Sequence, residues 1–138
     1  MRRSSSGARS PLGVGVDVVD VPRFSRVVAL RGAALCERVF TPGEIQTCGG
    51  SLPRLAARFA AKEAAAKALG VGIGQIAWQD VEVRTGARGE PHLALGGAAR
   101  DVASDQGLEH WAVSLSHDAT RAVALVVAVG RCGTGPPR

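Results

Sequence analysis

Two carboxylates in this chain stand where a charge is costly unless it meets a cation. Asp17 interrupts a run of valine and glycine, GVGVDVV, and burying a carboxylate there without donors or a counter-ion is expensive. Glu63 sits in the alanine-rich run RFAAKEAAAKAL. At helical periodicity it falls about 40° from Phe59, beside an apolar stripe of Leu52, Leu55, Phe59 and Ala66, with Lys62 and Lys67 flanking that stripe at about 60–80°. One carboxylate from a strand and one from a helix are the donors a hard cation such as Mg2+ takes, water and phosphate oxygens completing its octahedron. Plainer accounts exist for each alone: an i,i+4 pair for Glu63 and Lys67, a cap or solvent-facing position for Asp17. Two further features bear on anions. GVGIG, after the alanine-rich run, lets backbone approach a ligand closely, and Ser114-Leu-Ser116-His117 ends a strand with hydroxyl and imidazole donors suited to phosphate. The G-x-S-x-G elbow of a serine hydrolase is absent.

The elements that must position these groups follow from periodicity. Residues 13–19 alternate, predicting a strand with Val14, Val16 and Val18 toward the core and Gly13, Gly15 and Asp17 on the other face. Asp20 then caps a helix with Pro22 in its first turn, carrying Phe24, Val27 and Val28 inward and Arg23, Arg26 and Leu30 on another face. Thr41-Pro-Gly-Glu44 fits a capping box. The longest helical pattern runs from Leu52 or Pro53 to Leu69 and closes at Gly70. Strands are expected at residues 78–84 and 91–95, a helix at 97–105, and strands at 110–116 and up to about Val129. This order predicts a single α+β domain, a mainly antiparallel sheet packed with one long helix and shorter ones.

Length and charge narrow the function. With 138 residues the chain is one domain: a body over 12–130, flanked by tails over 1–11 and 131–138 whose Gly/Ser/Pro/Arg composition predicts disorder. Of 17 basic residues, five (Arg2, Arg3, Arg9, Arg131 and Arg138) lie in those tails, leaving 12 against 12 acidic. The body is therefore neutral, which argues against nucleic-acid binding. Cys36, Cys48 and Cys132 form neither an even disulfide set nor a metal spacing. No apolar run is long enough to span a membrane, and the expected location is cytoplasmic.

Taken in order, GVGVDVVDVPRF, FTPGE, RFAAKEAAAKALGVGIG, DVEV with GEP, and SLSHD resemble the holo-[acyl-carrier-protein] synthases, the short AcpS-type branch of the 4′-phosphopantetheinyl transferases. The resemblance runs from about Gly13 to Val129. It implies transfer of the 4′-phosphopantetheine group of coenzyme A to a serine of an apo acyl carrier protein, with release of 3′,5′-ADP. By the same resemblance Asp17 and Glu63 hold Mg2+, and with Lys67 form the catalytic set. Arg58, Lys62, Lys67, Gly70, Gly72, Ile73, Pro91 and His117 contact coenzyme A, and Arg23 and Arg26 receive the carrier protein. Either Glu63 or a water held by the ion takes the serine proton. A homotrimer with active sites between protomers is implied as well. The carrier is left open between fatty-acid and polyketide synthesis, and two other readings stand beside this one: a noncatalytic coenzyme A or nucleotide-binding module, and a Mg-dependent nucleotide phosphohydrolase.

Overall fold

The computed structural model describes residues 11–131. Apart from Pro11 and Arg131, the tails expected to be disordered lie outside the described residues, as does Cys132. The chain runs β1 (Leu12–Asp20), α1 (Val21–Val39), α2 (Pro42–Cys48), α3 (Leu52–Leu69), a 3-10 turn (Trp78–Asp80), β2 (Val81–Thr85), β3 (Pro91–Leu95), α4 (Gly97–Asp105), β4 (His110–His117) and β5 (Arg121–Val129). The expected strand from Trp78 thus begins three residues late, because residues 78–80 coil into the 3-10 turn.

Local chemistry accounts for most element ends. The Asp20 carboxylate accepts the Arg23 backbone N–H at 2.9 Å and starts α1. Thr41 and Glu44 form the reciprocal capping box of α2. Ser51 caps α3, which stops at Gly70 in the left-handed region (φ 72°). Gly32, at φ 69°, breaks α1 internally into two segments set at an angle, a kink the periodicity of α1 concealed.

β1, β5 and β4 form an antiparallel sheet in that order, and β2 pairs with β3 in a separate hairpin. α3 crosses the inner face of the larger sheet and is buried nearly all round: 12 of its 18 residues, mostly alanine, have little or no exposure. A single stripe was expected. Alanine on every side lets the sheet, α1, α2 and β2 all close on one helix.

The inner face of β1 also reverses the expectation. Gly13 and Gly15 are buried, whereas Val14, Val16 and Val18 are 61%, 51% and 58% exposed. A methyl group on Gly15 would overlap the Ala64 carbonyl oxygen, and one on Gly13 would meet that of Ala68. Only glycine permits this approach of strand to helix, so the valines turn outward and Asp17 turns toward α3. In α1, Phe24 is buried and Val28 half-buried as expected, but Val27 is exposed at a groove rim.

Candidate functional site

β1 and α3, held at glycine distance, bring together the first group of side chains. The Lys67 ammonium reaches back to β1, donating to the Val16 carbonyl at 3.0 Å and pairing with Asp17 Oδ1 at 3.2 Å. Its partner is therefore Asp17, across the strand–helix contact. Glu63 is half-buried one turn earlier on α3. Burial pushes its carboxyl up, the adjacent Asp17 charge adds to the rise, and Lys67 opposes it. Two neighbouring carboxylates of this kind suit a divalent cation. No cluster of three or more His, Cys, Asp or Glu exists among the described residues, so an ion here would draw its other ligands from water and substrate oxygens.

A second group gathers on a different side of α3. Arg54, Arg58, Thr85, Pro91, Ser114 and His117 line a pocket of about 340 Å³ between α3, the β2–β3 hairpin and β4. Arg58 is nearly buried, donates to Thr85 Oγ1 at 3.3 Å and to the Arg54 carbonyl at 3.4 Å, and leaves its Nε buried without a partner. Arg54, Arg58 and His117 around one pocket are donors of the kind that suit an anion. His117 is placed by the turn after it, where Asp118 Oδ1 accepts from the Thr120 backbone and hydroxyl and from the Arg121 backbone. Arg54 and Thr85 were not singled out from sequence. Arg54 had a signal, since it lies one turn before Arg58, while Thr85 looked like a turn residue.

Lys62 does not belong to either group. Its side chain has no exposed surface, and its ammonium pairs with Glu44 Oε1 at 2.8 Å while donating to the Trp78 and Val81 carbonyls. With its donors so occupied it has none to offer a coenzyme A phosphate, and that expectation is withdrawn. Burial lowers its pKa, against the opposing pull of Glu44. Glu44 hid behind its role as a helix cap. Gly70, Gly72 and Ile73 follow the C-terminal end of α3, on the far side of Glu63 and Lys67 from Arg58.

A third feature is an apolar groove of about 520 Å³ formed by both halves of the kinked α1 with β1, α3 and the 3-10 turn. Phe24, Phe40, Phe59 and Trp78 form its aromatic wall, Phe59 stacking on Trp78 at 4.8 Å, and Arg23 and Arg38 stand among its lining residues. Arg26 is exposed on α1 and is not among them.

Residues 13–127 match the model of the 4′-phosphopantetheinyl transferase superfamily that describes the acyl-carrier-protein synthases. The chain belongs to this family. A holo-[acyl-carrier-protein] synthase of Clavibacter sepedonicus is 52% identical over 120 residues, 86% of this chain and 95% of the relative. One from Herpetosiphon aurantiacus is 44% identical over 126 residues, 86% of this chain and 99% of the relative. The fold agrees with the crystal structure of the Helicobacter pylori holo-[acyl-carrier-protein] synthase in complex with coenzyme A: the TM-score is 0.76 at 30% identity, covering 83% of this chain and 98% of the other. At such identity over nearly the whole length of its relatives, this is an enzyme of the synthase family. The mixed single-domain α+β fold expected from the element order is the family's fold.

Proposed function

We propose that this enzyme transfers 4′-phosphopantetheine from coenzyme A to a serine of an apo acyl carrier protein. The observation that carries the reading is the presence, in a chain of the synthase family, of a carboxylate pair with a neighbouring lysine and a separate anion pocket with an unsatisfied guanidinium. The serine oxygen attacks the β-phosphorus of coenzyme A and gives up its proton to Glu63 or to a water beside it, a new P–O bond forms, the bond to the bridging oxygen breaks, and 3′,5′-ADP departs with the electron pair. Arg58, Arg54 and His117 would grip the phosphates of the nucleotide end. Lys67 adds positive charge beside the reacting pyrophosphate. Asp17 and Glu63 would hold Mg2+, which when bound neutralises pyrophosphate oxygens.

The two groups do not share a face. From Glu63 to Arg58 is about 140° around α3, and from Lys67 to Arg58 about 180°. Their strands, β1 and β4, are the two edges of the sheet, about 10 Å apart. This supports an active site built between protomers, the carboxylate side of one meeting the pocket side of the next. Such a head-to-tail contact closes into a ring when its rotation divides a full turn, and a homotrimer is the ring proposed. The outer sheet face supports it: Leu12, Val14, Val16 and Val18 oppose Val129, Val127, Leu125 and Val123 in register, an exposed apolar surface of the kind that an interface covers.

Carrier docking is proposed at the groove beside Arg23, with Arg26 outside it on the same helix. Residues 23–38 hold four arginines against one glutamate, which suits an acidic partner. No helix among the described residues is long and apolar enough to cross a membrane, and a cytoplasmic location is part of the proposal.

Incubation with coenzyme A, Mg2+ and a panel of fatty-acid and polyketide apo carriers, read by intact mass, tests the reading. A phosphopantetheine mass increment with stoichiometric 3′,5′-ADP is expected. ADP release without carrier would instead mark a phosphohydrolase, and binding without release a binding module. Asp17→Ala and Glu63→Ala should each abolish most transfer with the fold intact. Near-wild-type rates in either at limiting Mg2+ would remove the metal assignment, and Glu63→Gln separates holding the ion from accepting a proton.

A further inference from the structure

Lys62 and Glu44 are both fully buried, and two charges taken from water for each other's sake are seldom worth more to stability than apolar residues of the same size. Their connections suggest another use. The Lys62 ammonium binds the Glu44 carboxylate, the Trp78 carbonyl and the Val81 carbonyl, and lies 5.8 Å from the Phe40 ring centroid. The same carboxylate accepts the Thr41 and Val83 backbone N–H groups at 3.0 and 2.8 Å. One ion pair therefore ties α3 to α2, to the start of β2 and to Trp78 and Phe40, two walls of the apolar groove. The residue after Lys62 is Glu63, pointing about 100° away around the same helix.

We propose that the Lys62–Glu44 pair is a positioning device that fixes the rotation of α3, and with it Glu63, relative to the groove where the carrier arrives. The inference rests on the transferase reading above. A rotation of α3 by about 10° moves a carboxylate about 6 Å from its axis by about 1 Å, and misplacement of that size is enough to cost about a hundredfold in rate. Lys62 and Glu44 touch neither substrate in this arrangement. They act through Glu63 and through Phe40 and Trp78.

The test replaces both charges at once, in Lys62→Met/Glu44→Gln, where the glutamine can still accept from the Val83 N–H. Melting, coenzyme A KM, carrier KM and kcat are measured on the same protein. A positioning role gives a folded variant with a melting midpoint near wild type, coenzyme A KM within twofold, and kcat lowered tenfold or more. A folded variant with wild-type kcat and carrier KM overturns the proposal. If the double variant does not fold, Glu44→Asp decides, since it keeps both charges and retracts the carboxylate by one methylene. A tenfold fall in kcat without a change in melting supports the device, and unchanged kcat sinks it. Should the wild-type protein make no holo carrier, the transferase reading is what fails. The coupling is then judged by acrylamide quenching of Trp78 in a Trp111→Phe background, where the double variant must differ from the parent for the proposal to survive.

Discussion

Arg58 and Lys62 stand one helical turn apart and are both buried, yet only Arg58 has a donor left to give. Its Nε is unsatisfied, whereas the Lys62 ammonium is taken up by Glu44 and two carbonyls. Their alanine variants should fail differently. Lys62→Ala strands the Glu44 carboxylate in the interior and is expected to cost about 3–5 kcal/mol in stability, read by urea unfolding. Arg58→Ala should cost less stability than Lys62→Ala, since it strands no buried charge, and raise coenzyme A KM about 10–100-fold, the scale of a lost hydrogen bond to a charged group. At the edge of this buried network Glu82 accepts from the Thr41 hydroxyl and from Arg84, and those bonds hold its carboxyl below the usual glutamate range. A depressed carboxylate stabilises the fold above its unfolded-state pKa, and that contribution disappears as pH falls through the lower folded value. Stability should therefore drop on acidification below the ordinary glutamate range, with a shallower slope in Thr41→Val, as thermal melts across pH would record.

Among the elements, the contact between β1 and α3 decides whether the proposed metal site can form. Asp17 comes from the strand and Glu63 and Lys67 from the helix, and they meet because Gly13 and Gly15 let the strand lie against the Ala64 and Ala68 carbonyls. Gly15→Ala forces the two elements apart, at the cost of about 1–3 kcal/mol typical of overpacking. The separation falls where the carboxylates must converge. Mg2+ affinity should weaken while binding of 3′,5′-ADP, gripped at the pocket on the other side of α3, stays within a few-fold of wild type. Isothermal titration with each ligand checks this, and equal loss of both would mean a general collapse of α3.

For the whole molecule, the proposed division of the site between two sheet edges would make the protomer an incomplete catalyst. Asp17→Ala spoils the carboxylate half and leaves the pocket half, and Arg58→Ala does the converse. Mixed at equal concentration under conditions that exchange subunits, and assayed at coenzyme A well below the KM of Arg58→Ala, the two impaired proteins should regain about a quarter of wild-type activity, because one contact in four in a head-to-tail ring then pairs two intact halves. Val16→Asp, on the outer apolar face, should give a monomer by light scattering that transfers poorly and is not rescued by mixing. Recovery far below a quarter in protein shown to exchange subunits would place both halves within one chain.

Sequence by itself determined the caps and the element order, because each rests on interactions a few residues long. Asp20, the Thr41–Glu44 box and Gly70 were legible for that reason, and the motif series from GVGVD to SLSHD was enough to place the chain in its family. Tertiary structure decided which face of β1 is inside. An alternating strand defines two faces and leaves their sense open, and valines that burial on folding would draw inward are turned outward by the alanine helix that only glycine can approach. Tertiary structure likewise took Lys62 from a phosphate to Glu44. Periodicity reports a direction around a helix axis, and only the packing of α2 and β2 against α3 determines whether solvent, substrate or a buried carboxylate lies that way.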